Sequence, residues 1–217
     1  MGRVIRAAEV RSNDTVGIAR WLLGKALVRT RGRTRRVLLI TEVEAYDSER
    51  DLACHACKGR TPRTDTLYRA GGVWYVYFVY GMHHMLNLVT GPEGHPAAVL
   101  IRGLISISGP GRITKALAIG RKFNGIGALP RAGLHLEDLG LRVPRSIIRA
   151  TPRIGVEYAG PLWAGKLWRF CLDPGAAEGL WRRHRESPRR PSGEGARAGK
   201  KCAEFVKLRA AGLPKMR

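Results

Sequence analysis

Val73 to Tyr80 read Val-Trp-Tyr-Val-Tyr-Phe-Val-Tyr, and few backbones other than an extended strand accommodate so dense a run of β-branched and aromatic side chains. Gly71-Gly72 ahead of it is a turn signal, and Gly81-Met82 behind it gives a tight reversal. Met85 to Thr90 reads as the returning strand. Gly91-Pro92-Glu93-Gly94 turns the chain again, and Ala97 to Leu104 makes a third strand carrying Arg102. The pattern predicts an antiparallel meander. Tyrosines are expected on both faces of its first hairpin, with Tyr80 at the tip. A core needs aromatics on one face only, so this arrangement points to a surface that stacks on bases.

A second stretch leads into the meander. An apolar run beginning at Val37 ends in Glu42-Val43-Glu44-Ala45-Tyr46. Side chains alternate along a strand, so Leu38, Ile40, Glu42, Glu44 and Tyr46 are expected to share one face. Two carboxylates on a core-facing register are costly unless paired or used. Taken alone, these five residues read more simply as a strand end carrying ordinary surface acids.

Composition bears on the partner. The 217 residues hold 39 Lys+Arg against 17 Asp+Glu, a net charge of +22. A polyanion is the leading inference, nucleic acid before membrane, because no amphipathic or lipidated segment accompanies the charge. A bias toward arginine codons would inflate Arg, but it does not explain an excess of this size in one sign. No apolar run approaches the length needed to span a bilayer, and the first residues lack the apolar core of a signal peptide. Four irregularly spaced cysteines make no disulfide framework. The expected location is the cytoplasm, or the nucleoid or nucleus if the polyanion is DNA.

Local signals give a helix over Val16 to Leu23, capped by Asn13-Asp14-Thr15 and closed by Gly24. Ala26 to Arg29 and Arg35 to Glu44 pair through a turn at Arg31-Gly32. Asp47-Ser48 would cap a short helix through Cys57, and Arg60 to Thr64 forms a basic loop. Ser108-Gly109-Pro110-Gly111 reads as a cap leading into a helix over Lys115 to Ile119, stopped by Gly120. Helix N-termini bind phosphate, so Arg112 and Lys115 are candidate contacts to a DNA backbone. Short strands follow between Leu134 and Leu172. Residues 182–217 hold twelve Lys/Arg and three Glu with few large apolar side chains, the composition of a flexible basic arm.

Cys54-His55-Ala56-Cys57 has the spacing of a zinc or redox pair, but no second pair completes a zinc ribbon and no βαβ setting suits redox chemistry. His83 and His84, adjacent on a strand, point to opposite faces and make poor co-ligands. No metal or cofactor site is expected.

Glu42-Val43-Glu44-Ala45-Tyr46, His55 nine positions later, and Tyr75 to Met82 with Asn87 resemble the 3-methyladenine (alkyladenine) DNA glycosylases. So do Val99-Leu100-Ile101-Arg102, Gly109-Pro110 with Lys115 to Ile119, and Pro152-Arg153-Ile154-Gly155-Val156. The likeness runs in order from about residue 8 to 173. It implies an enzyme that flips a damaged purine out of duplex DNA, because the glycosidic bond is unreachable inside the stack. By the resemblance, Tyr80 would fill the gap in the duplex, and Tyr46, His55 and Tyr77 would line the base pocket. Asn87 would exclude normal guanine by crowding its exocyclic amine. Glu44 would activate water for attack on the sugar, helped by Arg102, which would also keep Glu44 ionised at neutral pH.

This chain departs from that pattern at two places within the resemblance. Only Gly103 to Ser108 bridge the Arg102 strand and the Gly-Pro helix, where the family usually carries an insertion. Asp173-Pro174-Gly175-Ala176-Ala177 replaces a turn that usually supplies a carbonyl to the water.

The expected architecture is mixed α/β (α+β), a single domain with a curved, largely antiparallel sheet and flanking helices. The glycosylase domain would span 1–181 and the basic arm 182–217. The expected function is monofunctional excision of 3-methyladenine-, 7-methylguanine- or hypoxanthine-type purines from double-stranded DNA by a monomer, in base excision repair. The alternative is a non-catalytic nucleic-acid binder using the same aromatic hairpin. A glycoside hydrolase using Glu42 and Glu44 would need two carboxyls flanking a sugar, and the excess of positive charge argues against it.

Overall fold

The computed structural model describes residues 2–186. Arg3–Val4 (β1) and the single turn Ala7–Val10 (α1) lead into Thr15–Leu22 (α2). Asp14 caps α2: its Oδ1 accepts the Gly17 amide hydrogen at 2.7 Å, satisfying one of the donors a helix start leaves over. Ala19 and Leu22 form the buried stripe, and the chain leaves the helix through Gly24 at φ 79°.

Ala26–Arg31 (β2) and the long strand Thr34–Asp47 (β3) make a hairpin. Two 3-10 turns, His55–Lys58 and Asp65–Tyr68, precede the meander of Trp74–Val79 (β4), His83–Val89 (β5) and Ala97–Leu104 (β6). Then come Ile107–Ser108 (β7), Pro110–Ala116 (α3), Leu134–Asp138 (β8), Ile148–Thr151 (β9), Gly160–Ala164 (α4), Arg169–Leu172 (β10) and Pro174–Glu186 (α5).

The strands join in the order β1-β8-β2-β3-β6-β5-β4, with β10 on β3 and β9, and β7 on β6. Every strand pairing is antiparallel. The mixed, largely antiparallel fold is the one expected from sequence, and so is the three-strand meander. β3 holds the sheet together: its first half pairs with β2, and its second half lies between β6 and β10. The two faces of the sheet do different work. Leu39, Val43, Trp74, Val76, Leu88 and Ile101 bury the main core on one side. Tyr75, Tyr77 and Tyr46 pack with a second cluster around Leu67 and Tyr68 on the other.

Four local expectations are corrected. Tyr75 and Tyr77 share one face, as the period of two requires, and Trp74 and Val76 take the core face. β3 does not keep one register, because a bulge separates Ile40 from Glu42. The short helix over 48–57 is absent: Asp47 ends the strand, and only a 3-10 turn from His55 forms. α3 starts at Pro110 and ends at Ala116, because Pro at the first turn suits a helix start and Ala118 turns left-handed at φ 49°. At the C-terminal end α5 continues to Glu186. The remainder of the arm expected from Arg182, residues 187–217, lies outside the described residues.

Candidate active site

The site begins with two bulges facing each other. Ile40 lies opposite Leu104, Glu42 opposite Gly103 and Val43 opposite Ile101. Thr41 on β3 and Arg102 on β6 are thus each an extra residue, and such residues bend the strand and re-aim side chains. Gly103 permits the close approach, since a Cβ there would stand 2.7 Å from the Cβ of Glu42. Beyond the bulge Val43 and Ala45 continue in the core, and Glu44 and Tyr46 point to the opposite side.

Glu44 is completely buried. Its Oε2 accepts from the Tyr46 hydroxyl at 2.8 Å, and its Oε1 accepts from the Ile154 amide at 2.9 Å. Arg102 approaches less closely, with Nη1 3.5 Å from Oε2 and Nε 3.4 Å from Oε1. Burial pushes the Glu44 carboxyl above its ordinary range, and Arg102, the Ile154 amide and the Tyr46 hydroxyl only partly offset it. Arg102 does favour ionisation, as expected, but burial decides the net direction. Glu42 is placed differently. Its Oε1 is shared by Nε of Arg102 at 3.0 Å and Nε of Arg169 at 2.7 Å, so it serves as counterion to two guanidiniums.

Directly in front of Glu44 lies a cavity of about 340 Å³, lined by Tyr46, His55, Tyr77, Asn87 and Arg102 with Tyr80 at its rim. Glu44 itself stands one layer behind this wall, reached through the Tyr46 hydroxyl and the Arg102 guanidinium. Larger clefts of about 410 and 700 Å³ lack this aromatic lining, so size does not single out the site. His55 meets the Tyr77 ring edge-on with centroids 4.5 Å apart. Its Nδ1 lies 3.0 Å from the Tyr75 hydroxyl. Burial first, and Arg63 second, lower the His55 pKa to about 4, so the ring is neutral at physiological pH. Burial raises the phenols of Tyr46 and Tyr77 as well. The Asn87 amide nitrogen donates to the Tyr75 carbonyl at 3.2 Å and, at 3.5 Å, to that of Met85. Both donors are committed to the main chain, which leaves Oδ1 as the free acceptor.

Tyr80 is 82% exposed at the tip of the β4–β5 hairpin. Tyr80 and Gly81 both have positive φ, 53° and 66°, and the Met82 amide donates to the Val79 carbonyl across them. Tyr80 and Gly81 thus form a turn of the primed kind, which suits a hairpin's twist, and Met82 is a third connecting residue before His83 pairs with Val79. Arg112 and Lys115 lie outside the cavity on the exposed side of α3, whose first residue, Pro110, lines the cavity.

Two residues of the site carry no role in the sequence reading. Tyr75 fixes His55, and its position two before Tyr77 on a strand was the available signal. Arg153 is nearly buried and donates to both Asp51 oxygens, at 2.5 and 2.9 Å, to the Ala45 carbonyl at 2.9 Å and to the Trp163 carbonyl at 3.2 Å. Its guanidinium lies 4.8 Å over the Tyr46 ring. It thereby fixes the loop whose next residue, Ile154, donates its amide to Glu44. No local pattern signals this, since Asp51 lies 102 positions away.

The family described as methylpurine-DNA glycosylase matches residues 9–108 and 106–175. A relative from Myxococcus xanthus is 48% identical over 164 residues, 71% of this chain and 83% of the relative. One from Anaeromyxobacter sp. is 44% identical over 187 residues, covering 81% and 95%, and one from Methanocella arvoryzae is 43% identical over 176, covering 72% and 86%. Each of the three bears the name "Putative 3-methyladenine DNA glycosylase".

Proposed function

This chain belongs to the methylpurine-DNA glycosylase family, and from that premise we propose that it hydrolyses the N-glycosyl bond of 3-methyladenine-, 7-methylguanine- or hypoxanthine-type purines extruded from duplex DNA. DNA glycosylase action on alkylated bases is the family's activity; the finer assignments are our reading of the site. The observation that carries them is a fully buried carboxylate, Glu44, held behind a cavity walled by aromatic rings.

In this reading the extruded base enters between Tyr46 and Tyr77, against a neutral His55. A cationic alkylpurine then meets π faces and an imidazole that adds no like charge. Asn87 crowds the exocyclic amine that distinguishes guanine, and Tyr80 occupies the space left in the duplex. The Arg102–Glu44 contacts are the longest made by that carboxylate, and a water taken up between the two groups would be held by both. Glu44 accepts its proton as it attacks the sugar C1′, and the carboxylate's charge stabilises the oxocarbenium-like transition state. N-alkylated purines leave readily because they already carry positive charge. The elevated pKa of Glu44 makes it a stronger base than a solvated carboxylate. The chemistry calls for no metal or cofactor and one protomer. We assign the glycosylase domain to residues 1–181 and a basic arm to 182–217, a boundary that falls within α5.

The test is release of free base from a labelled duplex carrying one alkylpurine or one hypoxanthine, with chelator present. The reading expects base and an abasic site as products and an intact strand. Tight binding with no base released would support a non-catalytic binder instead.

A further inference from the structure

Two long stretches of the chain combine many Lys/Arg with no carboxylate. Residues 15–41 hold seven Lys/Arg and residues 94–136 hold six, with no Asp or Glu in either. The fold packs the two together. Arg36 donates from Nη1 to the Ala116 carbonyl at 2.8 Å, and Arg29 donates from Nε to the Leu117 carbonyl at 2.9 Å. Arg29 lies 4.8 Å over the Phe123 ring, and the Lys122 ammonium lies 5.6 Å over the same ring.

Positive charge is thereby concentrated on one face. Arg29 sits directly opposite Arg36 in the β2–β3 ladder, a like-charge juxtaposition that costs stability. Arg29 is satisfied by carbonyls alone, those of Leu117, Thr30 and Gly133. Arg31, Arg33, Arg112, Lys115 and Arg121 are exposed and make no ion pair among the described residues. Arg35, on the opposite face of the hairpin, is the exception that reaches Glu137, at 2.6 Å. The face begins at the cavity, where Pro110 is part of the wall, passes Arg112 and Lys115 along α3, and ends at the Gly32 turn.

We propose that this face is a track for the phosphate backbone of the duplex flanking the extruded nucleotide, and that Arg31, Arg33 and Arg36 of the hairpin contact phosphates beyond the lesion. The DNA partner rests on the glycosylase reading of the cavity; the track does not depend on which residue performs the chemistry. α3 alone spans about 10 Å at 1.5 Å per residue, roughly three phosphates of one strand when measured along the duplex axis at about 3.4 Å each. The hairpin extends that reach. Backbone contacts position the protein without reading sequence, so damaged and undamaged duplexes share them.

The experiment measures equilibrium binding of the full chain, wild type and carrying Arg31→Ser, Arg33→Ser and Arg36→Ser together. Damaged and undamaged duplexes are titrated across a range of salt, each both long and trimmed to a few base pairs on either side of the lesion position. On the long duplexes the slope of log K against log salt should become shallower by about 0.9 for each phosphate that is no longer neutralised, equally for damaged and undamaged DNA. The trimmed duplexes should show no such change. An unchanged slope on the long duplex, or a loss confined to damaged DNA, overturns the track. Arg142→Ser with Arg145→Ser removes exposed charge outside both stretches, and an equal loss per charge there would also overturn it. If the chain releases no base yet the slope falls, the glycosylase reading fails and the track stands. Normal excision with an unmoved slope defeats the track alone.

Discussion

Tyr80 holds a backbone conformation that a side chain with a Cβ adopts at a cost, at φ 53°, in a turn where Asn is the favoured residue. With 82% of its surface exposed, it recovers nothing from packing. Tyr80→Asn should therefore raise the melting temperature slightly while impairing excision more in a fully paired duplex than at a mismatch, where extrusion is cheaper. Equal impairment on both substrates would rule out a plug. Arg153 acts through Ile154: it fixes the loop whose amide pulls the Glu44 pKa down against burial. Arg153→Lys cannot reproduce the forked contact with Asp51, so that amide bond should loosen and Glu44 titrate higher. The acid limb of the single-turnover rate should move to higher pH, a shift that loss of stability alone would not produce. His55, at about 4, should add no inflection of its own between pH 5 and 8.

At the scale of elements, the paired bulges of β3 and β6 do what a regular ladder cannot. They place Glu44 on the cavity side and Arg102 beside it while Val43 and Ala45 stay in the core. Gly103→Ala would drive a methyl group to within 2.7 Å of the Glu42 Cβ, pushing the strands apart. It should lower both the melting temperature and the excision rate; a wild-type rate would show that the bulge geometry is not needed. Strand alternation, the Asp14 cap and the glycine turns made α2, the β2–β3 hairpin and the meander legible in sequence, because each is set by neighbours a few residues away. A bulge is one extra residue and leaves no periodicity to read, so Glu42 and Glu44 look equivalent in the sequence. Likewise α3 was legible as a helix but not its start, since Pro110 governs the first turn more strongly than the apolar run from Ala116. The candidate pocket residues came from the resemblance, motif by motif. Tyr75 and Arg153 have partners 20 and more than 100 positions away, beyond the reach of local pattern.

On the scale of the whole molecule, one sheet separates a closed core from an aromatic cavity, and a basic face built from two carboxylate-free stretches begins at the cavity's mouth. The two strand-end acids divide the work. Glu42 balances Arg102 and Arg169, and Glu44 is buried where its charge is costly. The elevated pKa gives that cost a sign. The folded state holds the Glu44 proton more tightly than the unfolded state, so the wild type loses stability as pH rises from the unfolded Glu value, about 4.3, through the higher folded one. Glu44→Gln should consequently gain in melting temperature relative to wild type more at pH 7 than at pH 4. The central claim is tested most directly by single-turnover release of an alkylpurine from a labelled duplex by Glu44→Gln and Glu42→Gln side by side. Glu44→Gln should lose roughly 10²–10⁴-fold in rate, the usual contribution of a positioned base, with affinity for damaged DNA kept or increased. Glu42→Gln should keep most of its rate and lose stability instead. A Glu44→Gln enzyme near the wild-type rate, or a dead Glu42→Gln enzyme, would contradict the assignment.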